Sequence, residues 1–134
     1  MTGFLIDSGA FLAMIDASDS NHVAAALFVR SHSADSFYVP DTVFAETMVL
    51  IKARLGARPA VDLGGRIRES RQFLLVPLTP DDHEATWTIF SRYTDKDWSY
   101  IDCSTFAMSR RLNIPNVFAF DHHFDQMVEL ARVP

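Results

Sequence analysis

The sequence predicts an α/β fold, built on a parallel sheet with helices on both faces. Three observations predict it. Short apolar runs recur along the chain at Phe4–Ile6, Phe37–Val39, Phe73–Val76 and Val117–Phe120. Each is closed by a carboxylate or a proline: Asp7, Pro40, Pro77 and Asp121. Between them lie stretches with helical spacing, in the order β-α-α-β-α-α-β-α-α-β-α, and such alternation favours parallel strands joined by helical crossovers.

Phe4-Leu5-Ile6 runs straight into Asp7-Ser8-Gly9, which reads as a buried strand stopping at a turn. Ala10 to Ala17 follows with Phe11, Leu12 and Ile15 on one helical face. Asp19, Ser20 and Asn21 offer caps for a helix from His22 to about His32, with Val23, Ala26, Leu27 and Arg30 recurring at three and four. Ser31 to Ser36 reads as a polar loop before the second strand. Asp41 or Thr42 starts a long helix to about Leu55, with Pro40 ahead of it and Gly56 behind.

Ala57 to Gly65 contains Pro59 and the pair Gly64-Gly65, and is expected to be loop-like with a short helix in part. After the third strand, Thr79-Pro80-Asp81-Asp82 opens a helix to about Tyr93 with a cap, a proline in the first turn and acids near the positive end of the dipole. Ser99 begins another to about Leu112, ended by Asn113 and Pro115. The last strand, Val117–Phe120, is followed by a short helix expected from His122 to about Leu130. No repeat, linker or low-complexity segment interrupts the chain, so residues 1–134 read as one domain.

Composition narrows the classes. A chain of 134 residues with 49% hydrophobic and 22% charged residues suits a globular domain with a full core. The net charge of −5 argues against a generally basic nucleic-acid binder, although a local patch outweighs a total. Six of the twelve basic residues do cluster, as Lys52, Arg54, Arg58, Arg66, Arg68 and Arg71, a candidate phosphate-contacting segment. The single cysteine, Cys103, excludes an internal disulfide. No signal peptide and no membrane-length apolar run are visible, so a cytoplasmic protein is expected.

The chemistry is carried by carboxylates. Asp7 and Asp121 each end a strand, and in open α/β sheets ligands bind beyond the carboxyl ends of strands. Glu46 sits on a helical stripe with Val43, Val49, Leu50 and Ala53, where a carboxylate must be paired or hold a cation. Asp102 falls in the first turn of the Ser99 helix, in a pattern resembling a capping box. Individually each has a plain structural reading: Asp7, Asp102 and Asp121 as caps, Glu46 as half of an ion pair. Those readings do not account for the set. Four acids at one mouth repel each other unless a cation binds, and all-oxygen ligands favour Mg²⁺ or Mn²⁺ over zinc. Such clusters serve phosphodiester hydrolysis.

Other residues are weaker candidates. Adjacent residues on a helix point apart, so His122-His123 does not read as a metal site. Cys103 reads as packing beside Asp102. Trp87 reads as core and Trp98 as more open, near the acids. An apolar groove for a partner is expected around Phe28, Val49 and Ile51.

These residues resemble the PIN domain family, and within it the VapC-type toxin ribonucleases of bacterial toxin–antitoxin pairs. Leu5-Ile6-Asp7-Ser8-Gly9-Ala10-Phe11 resembles the first acidic motif of that family, and Glu46 stands where it has its second acid. Asp97-Trp98-Ser99-Tyr100-Ile101-Asp102-Cys103 is similar to its third motif, and Phe120-Asp121-His122-His123-Phe124 to its fourth. The resemblance spans essentially the whole chain. It implies a three-layer α/β/α sandwich with a central parallel sheet, and Mg²⁺- or Mn²⁺-dependent endonucleolytic cleavage of RNA. It carries over Asp7, Glu46, Asp102 and Asp121 as metal-binding catalytic acids, with Ser8 and Ser99 orienting them. It also implies a homodimer and a small antitoxin that blocks the site. Ala119 departs from the pattern, since the family often has Thr there, and the lost hydroxyl bears on how Asp121 is held. Two other functions fit less well: a PIN-fold RNA-processing nuclease without an antitoxin, and a receiver-type signalling module. The latter needs an acidic pair after the first strand and a late strand-end Lys, whereas Asp7 stands alone and Lys96 follows no strand.

Overall fold

The computed structural model describes residues 2–134. Its centre is a five-stranded sheet in the order β3-β2-β1-β4-β5, with every neighbouring pair parallel. The strands are β1 (Gly3–Ile6), β2 (Ser36–Pro40), β3 (Phe73–Val76), β4 (Asn116–Phe118) and β5 (Ala131–Val133). The helices are α1 (Ser8–Ile15), α2 (His22–Ser31), α3 (Asp41–Leu55), α4 (Ala57–Glu69), α5 (Pro80–Arg92) and α6 (Tyr100–Leu112), with a 3₁₀ turn at His122–Gln126. The order of strands reverses at β1, whose neighbours are β2 and β4. That switch point opens a crevice beyond the carboxyl ends of β1 and β4.

Alternation along each strand builds two cores. Phe4, Ile6, Phe37 and Phe118 face α1 to α4, while Leu5, Val117 and Ala119 face α5 and α6. The first core is a stack of rings: Phe37 lies 4.8 Å from Phe73 and 5.7 Å from Phe118 between centroids. Fully burying one such ring stabilises the fold by about 1.5–3 kcal/mol. The second core packs Trp98, Phe106 and Phe124 against Leu5 and Val117. The expected α/β/α sandwich is therefore present, with both faces of the sheet covered. No helix of the described residues is long and apolar enough to cross a membrane.

Four local expectations are corrected. The segment Ala57–Gly65 is not loop-like: it is most of α4, which buries Ala60, Leu63, Gly64 and Ile67 as a regular stripe. Pro59 is tolerated because it lies in the first turn, where its missing N–H loses nothing. Gly64 is there for contact, since a Cβ would come within 2.8 Å of the Met48 sulfur on α3. Helix α2 turns the other way from expectation: Ala25 is buried while Val23 and Leu27 are exposed. The chain after Asp121 forms a 3₁₀ turn and then β5, a three-residue strand that pairs with β4. The two tryptophans exchange roles, Trp87 being exposed and Trp98 buried, its indole N–H donating to Gln126 Oε1 at 2.9 Å.

Gly56 joins α3 to α4 at φ +105°, a conformation that only glycine adopts without strain.

Candidate functional site

Asp7 follows β1 directly and occupies the N-cap position of α1. Its backbone N–H continues the sheet by donating to Phe118 O at 3.1 Å. Its side chain makes no capping bond, so the capping reading does not hold there. Instead the carboxylate is buried, with 6% of its surface exposed, and Oδ1 has no partner among the described residues. Burial pushes this carboxyl up to about 7, and repulsion from Asp102, Glu46 and Asp121 adds to the rise. Only the Ser8 backbone N–H opposes it.

Asp102 reaches the same place from α6. Its backbone N–H donates to Ser99 Oγ at 2.9 Å, and the Ser99 N–H donates back to Asp102 Oδ2 at 3.0 Å. The capping box expected from sequence is therefore formed. It does not compete with a second role, because the cap fixes the carboxylate at the mouth of the crevice. Asp121 behaves alike: its Oδ1 accepts the His123 backbone N–H at 2.9 Å as the cap of the 3₁₀ turn. Ala119 is fully buried and its N–H donates to Val133 O at 3.0 Å, so what holds Asp121 is the His123 N–H.

Glu46 comes from α3. The Ser8 hydroxyl donates to its Oε1, tying the β1–α1 junction to α3. No Lys or Arg pairs with it among the described residues, so the ion-pair reading of Glu46 fails.

All four acids line one cleft of about 550 Å³, together with Ser8, Asp97, Ser99 and His123. Val49, Leu50 and Ala53 of α3 form its apolar wall, and among the described residues no Lys or Arg lines it. Several carboxylates around an unpartnered buried oxygen constitute a site short of positive charge, which is the chemistry that a divalent cation answers. Asp102, Asp121 and His123 each place one donor atom so that all three lie within 4.8 Å of one another.

Two lining residues carry little signal in the sequence. Asp97 lies within the third motif, on a polar loop with no periodicity to mark it. The two histidines do turn apart, His122 being 77% and His123 22% exposed, yet His123 turns into the cleft. Its spacing from Asp121 is the available signal: residue i+2 of a turn capped by Asp121 is held against that acid.

The remaining candidates sort simply. Cys103 is buried, and burial, aided by Asp102, pushes its thiol up to about 11, as suits packing. Lys52, Arg54, Arg58, Arg66, Arg68 and Arg71 are all exposed, on α3, α4 and the turn before β3. Phe28, Val49 and Ile51 do not share a groove: Ile51 is buried, Phe28 packs on Phe4, and Val49 is exposed on the cleft wall.

Fold and site together define an α/β protein with an acidic cleft at the carboxyl edge of a parallel sheet. The chain belongs to the PIN domain family, whose model matches residues 4–130. It is 29% identical over 119 residues to the 23S rRNA-specific endonuclease VapC20 of Mycobacterium tuberculosis, covering 89% of each chain. The crystal structure of that VapC20, described as a Sarcin-Ricin loop cleaving toxin, superposes with a TM-score of 0.84 at 27% identity, over 92% of this chain and 93% of that one. The structure of FitAcB from Neisseria gonorrhoeae shares the fold, with a TM-score of 0.70 at 14% identity over 98% and 96% of the two chains. The resemblance to VapC-type proteins read from the four motifs is thus borne out.

Proposed function

We propose that this chain is a divalent-metal-dependent endoribonuclease, the toxin of a toxin–antitoxin pair in the bacterial cytoplasm. One observation supports this above others: Asp7, Glu46, Asp102 and Asp121 meet in one cleft, around a buried Asp7 oxygen without a partner. These acids would hold Mg²⁺ or Mn²⁺. When bound, such an ion neutralises charge on a phosphodiester and makes water a competent nucleophile.

The chain's own residues do the positioning. The Ser8 hydroxyl orients Glu46, the Ser99 pair orients Asp102, and the His123 N–H orients Asp121. Val49, Leu50 and Ala53 give one side of the cleft an apolar, partly exposed wall. The exposed basic residues of α3 and α4 contact RNA phosphates outside it, where they do not neutralise the acids. RNA as substrate is supported by the 23S rRNA endonuclease to which the chain is similar.

Partners follow the same reading. Exposed Val23 and Leu27 on α2 and Val61 on α4 offer apolar anchors for an antitoxin. Trp87, Phe90 and Tyr100, all exposed and in successive ring contact, suit a second copy of the chain.

Induced expression in bacteria tests the whole reading. Wild type should arrest growth and leave discrete new RNA ends, while Asp7→Asn at equal abundance should do neither. Equal arrest by both proteins would contradict it.

A further inference from the structure

One nitrogen donor stands among the oxygens of the cleft. His123 Nδ1 lies 3.2 Å from Asp102 Oδ2 and 3.4 Å from Asp121 Oδ2. The ring is not free to leave, because its own backbone N–H is bonded to Asp121 Oδ1 and its side chain is only 22% exposed. Asp102 Oδ2 already accepts the Ser99 N–H at 3.0 Å, and a single Nδ1–H reaches only one of the two facing oxygens. The buried Asp7 Oδ1, in the same cleft, is left without a partner among the described residues. A cation answers the donor atoms of His123, Asp102 and Asp121 at once, since all three lie within 4.8 Å of one another. Two ligands at right angles around an ion at about 2.1 Å are about 3 Å apart, which is near the spacing found here.

We propose that His123 is a metal ligand through Nδ1, so that with Asp102 and Asp121 it forms a mixed nitrogen–oxygen centre that selects Mn²⁺ over Mg²⁺. This rests on the metal-dependent reading above and adds the ligand set and the identity of the ion. Mg²⁺ is a hard ion that prefers oxygen and sheds water reluctantly, whereas imidazole nitrogen suits transition ions. In this arrangement the neutral ring carries its proton on Nε2, and the Nδ1 lone pair points at the ion. His122 differs by one position only, yet it is 77% exposed and outside the cleft, so it provides an internal control.

The experiment uses purified chain loaded with Mn²⁺. Pulsed electron paramagnetic resonance of wild type should show coupling to one ¹⁴N nucleus, replaced by the ¹⁵N pattern when histidine alone is labelled. His122→Gln should keep that coupling and His123→Gln should lose it. By calorimetry, His123→Gln should bind Mn²⁺ about ten-fold more weakly, with Mg²⁺ affinity nearly unchanged because the amide offers oxygen. Mn²⁺ bound to wild type without nitrogen coupling would overturn the assignment while leaving the metal-dependent reading intact. Absence of Mn²⁺ and Mg²⁺ binding by wild type would overturn both. The isotope experiment needs only wild type, so it decides the matter even where His123→Gln does not fold.

Discussion

Ser99 and Asp102 cap each other: the Ser99 N–H donates to Asp102 Oδ2 at 3.0 Å while the Asp102 N–H donates to Ser99 Oγ at 2.9 Å. One pair of bonds both starts α6 and aims an acid into the cleft. Ser99→Ala should therefore cost about 1 kcal/mol of stability, the usual loss for a cap. Its effect on RNA cleavage should be larger, because the first turn of α6, which carries Asp102, loses the Ser99 Oγ that accepts the Asp102 N–H, leaving the carboxylate held, of the two cap bonds, by the Ser99 N–H alone. Thermal melts and cleavage rates on the same preparation check this. Equal, small losses in both would show that the cap is structural only.

Ser8 plays a similar part for Glu46 without building a helix end. Ser8→Ala should leave the melting temperature nearly unchanged and weaken Mn²⁺ binding by about ten-fold. Calorimetry reads the second quantity directly.

The Asp7 carboxyl, raised to about 7 by burial and by its acidic neighbours, makes the metal-free protein sensitive to pH. The unfolded chain ionises this group near 3.8 and the folded chain near 7, so the unfolded state sheds its proton first as pH rises. Stability from this group is therefore full below about pH 4 and is lost as pH climbs to about 7. Asp7→Asn removes the penalty, and should stabilise the metal-free protein at pH 8 by something on the order of 1–4 kcal/mol. At pH 4 the two proteins should melt alike. Divalent metal should narrow the difference at pH 8, since it binds wild type more tightly than the variant.

Asp82 shows the opposite sign. Burial pushes its carboxyl up, but the Arg111 guanidinium, bonded to both oxygens at 2.8 and 2.9 Å, and the Thr79 N–H hold it below the usual range. Its contribution is present above the unfolded value near 3.8 and is lost as pH falls through the lower folded value. Arg111 is about a third exposed, so the pair is partly screened and Asp82→Ala should cost about 1–3 kcal/mol, including the lost cap of α5. Urea melts at pH 7 and pH 3 should show the loss shrinking on acidification.

The exposed basic segment gives a salt-dependent prediction. Charge reversal at Arg66 and Arg68 should slow RNA cleavage and flatten its dependence on ionic strength, by about 0.7 in logarithmic slope for each phosphate no longer neutralised. Unchanged cleavage and slope would place the RNA elsewhere.

What the sequence discloses follows from how local each signal is. Asp7 is legible because an apolar run ending in a carboxylate marks the end of β1; Asp121 is legible by the same pattern although β4 stops at Phe118, three residues before it, and the sheet order then sets β1 beside β4. Glu46 is legible as a charge on an apolar stripe, although that stripe lines an open cleft, with Val49 exposed. Helix α4 is obscured by Pro59 and Gly64-Gly65; Pro59 occupies a first-turn position and Gly64 a close approach to Met48. The inward face of α2 is hard to place because Val23 and Leu27 share the apolar character of Phe28, and only packing distinguishes them. Strand β5 has three residues and draws its identity from β4, so no periodicity announces it. His123 is hidden for a like reason: its place depends on the 3₁₀ turn that Asp121 caps, where two neighbouring histidines part company.

The most direct measurement is cleavage of a ribosomal and transfer RNA panel by purified wild type and Asp7→Asn, in Mn²⁺, in Mg²⁺ and in EDTA. The account predicts discrete cuts by wild type with metal, none in EDTA, and none by Asp7→Asn under any condition. Cutting by Asp7→Asn at the wild-type rate, or by wild type in EDTA, would contradict it.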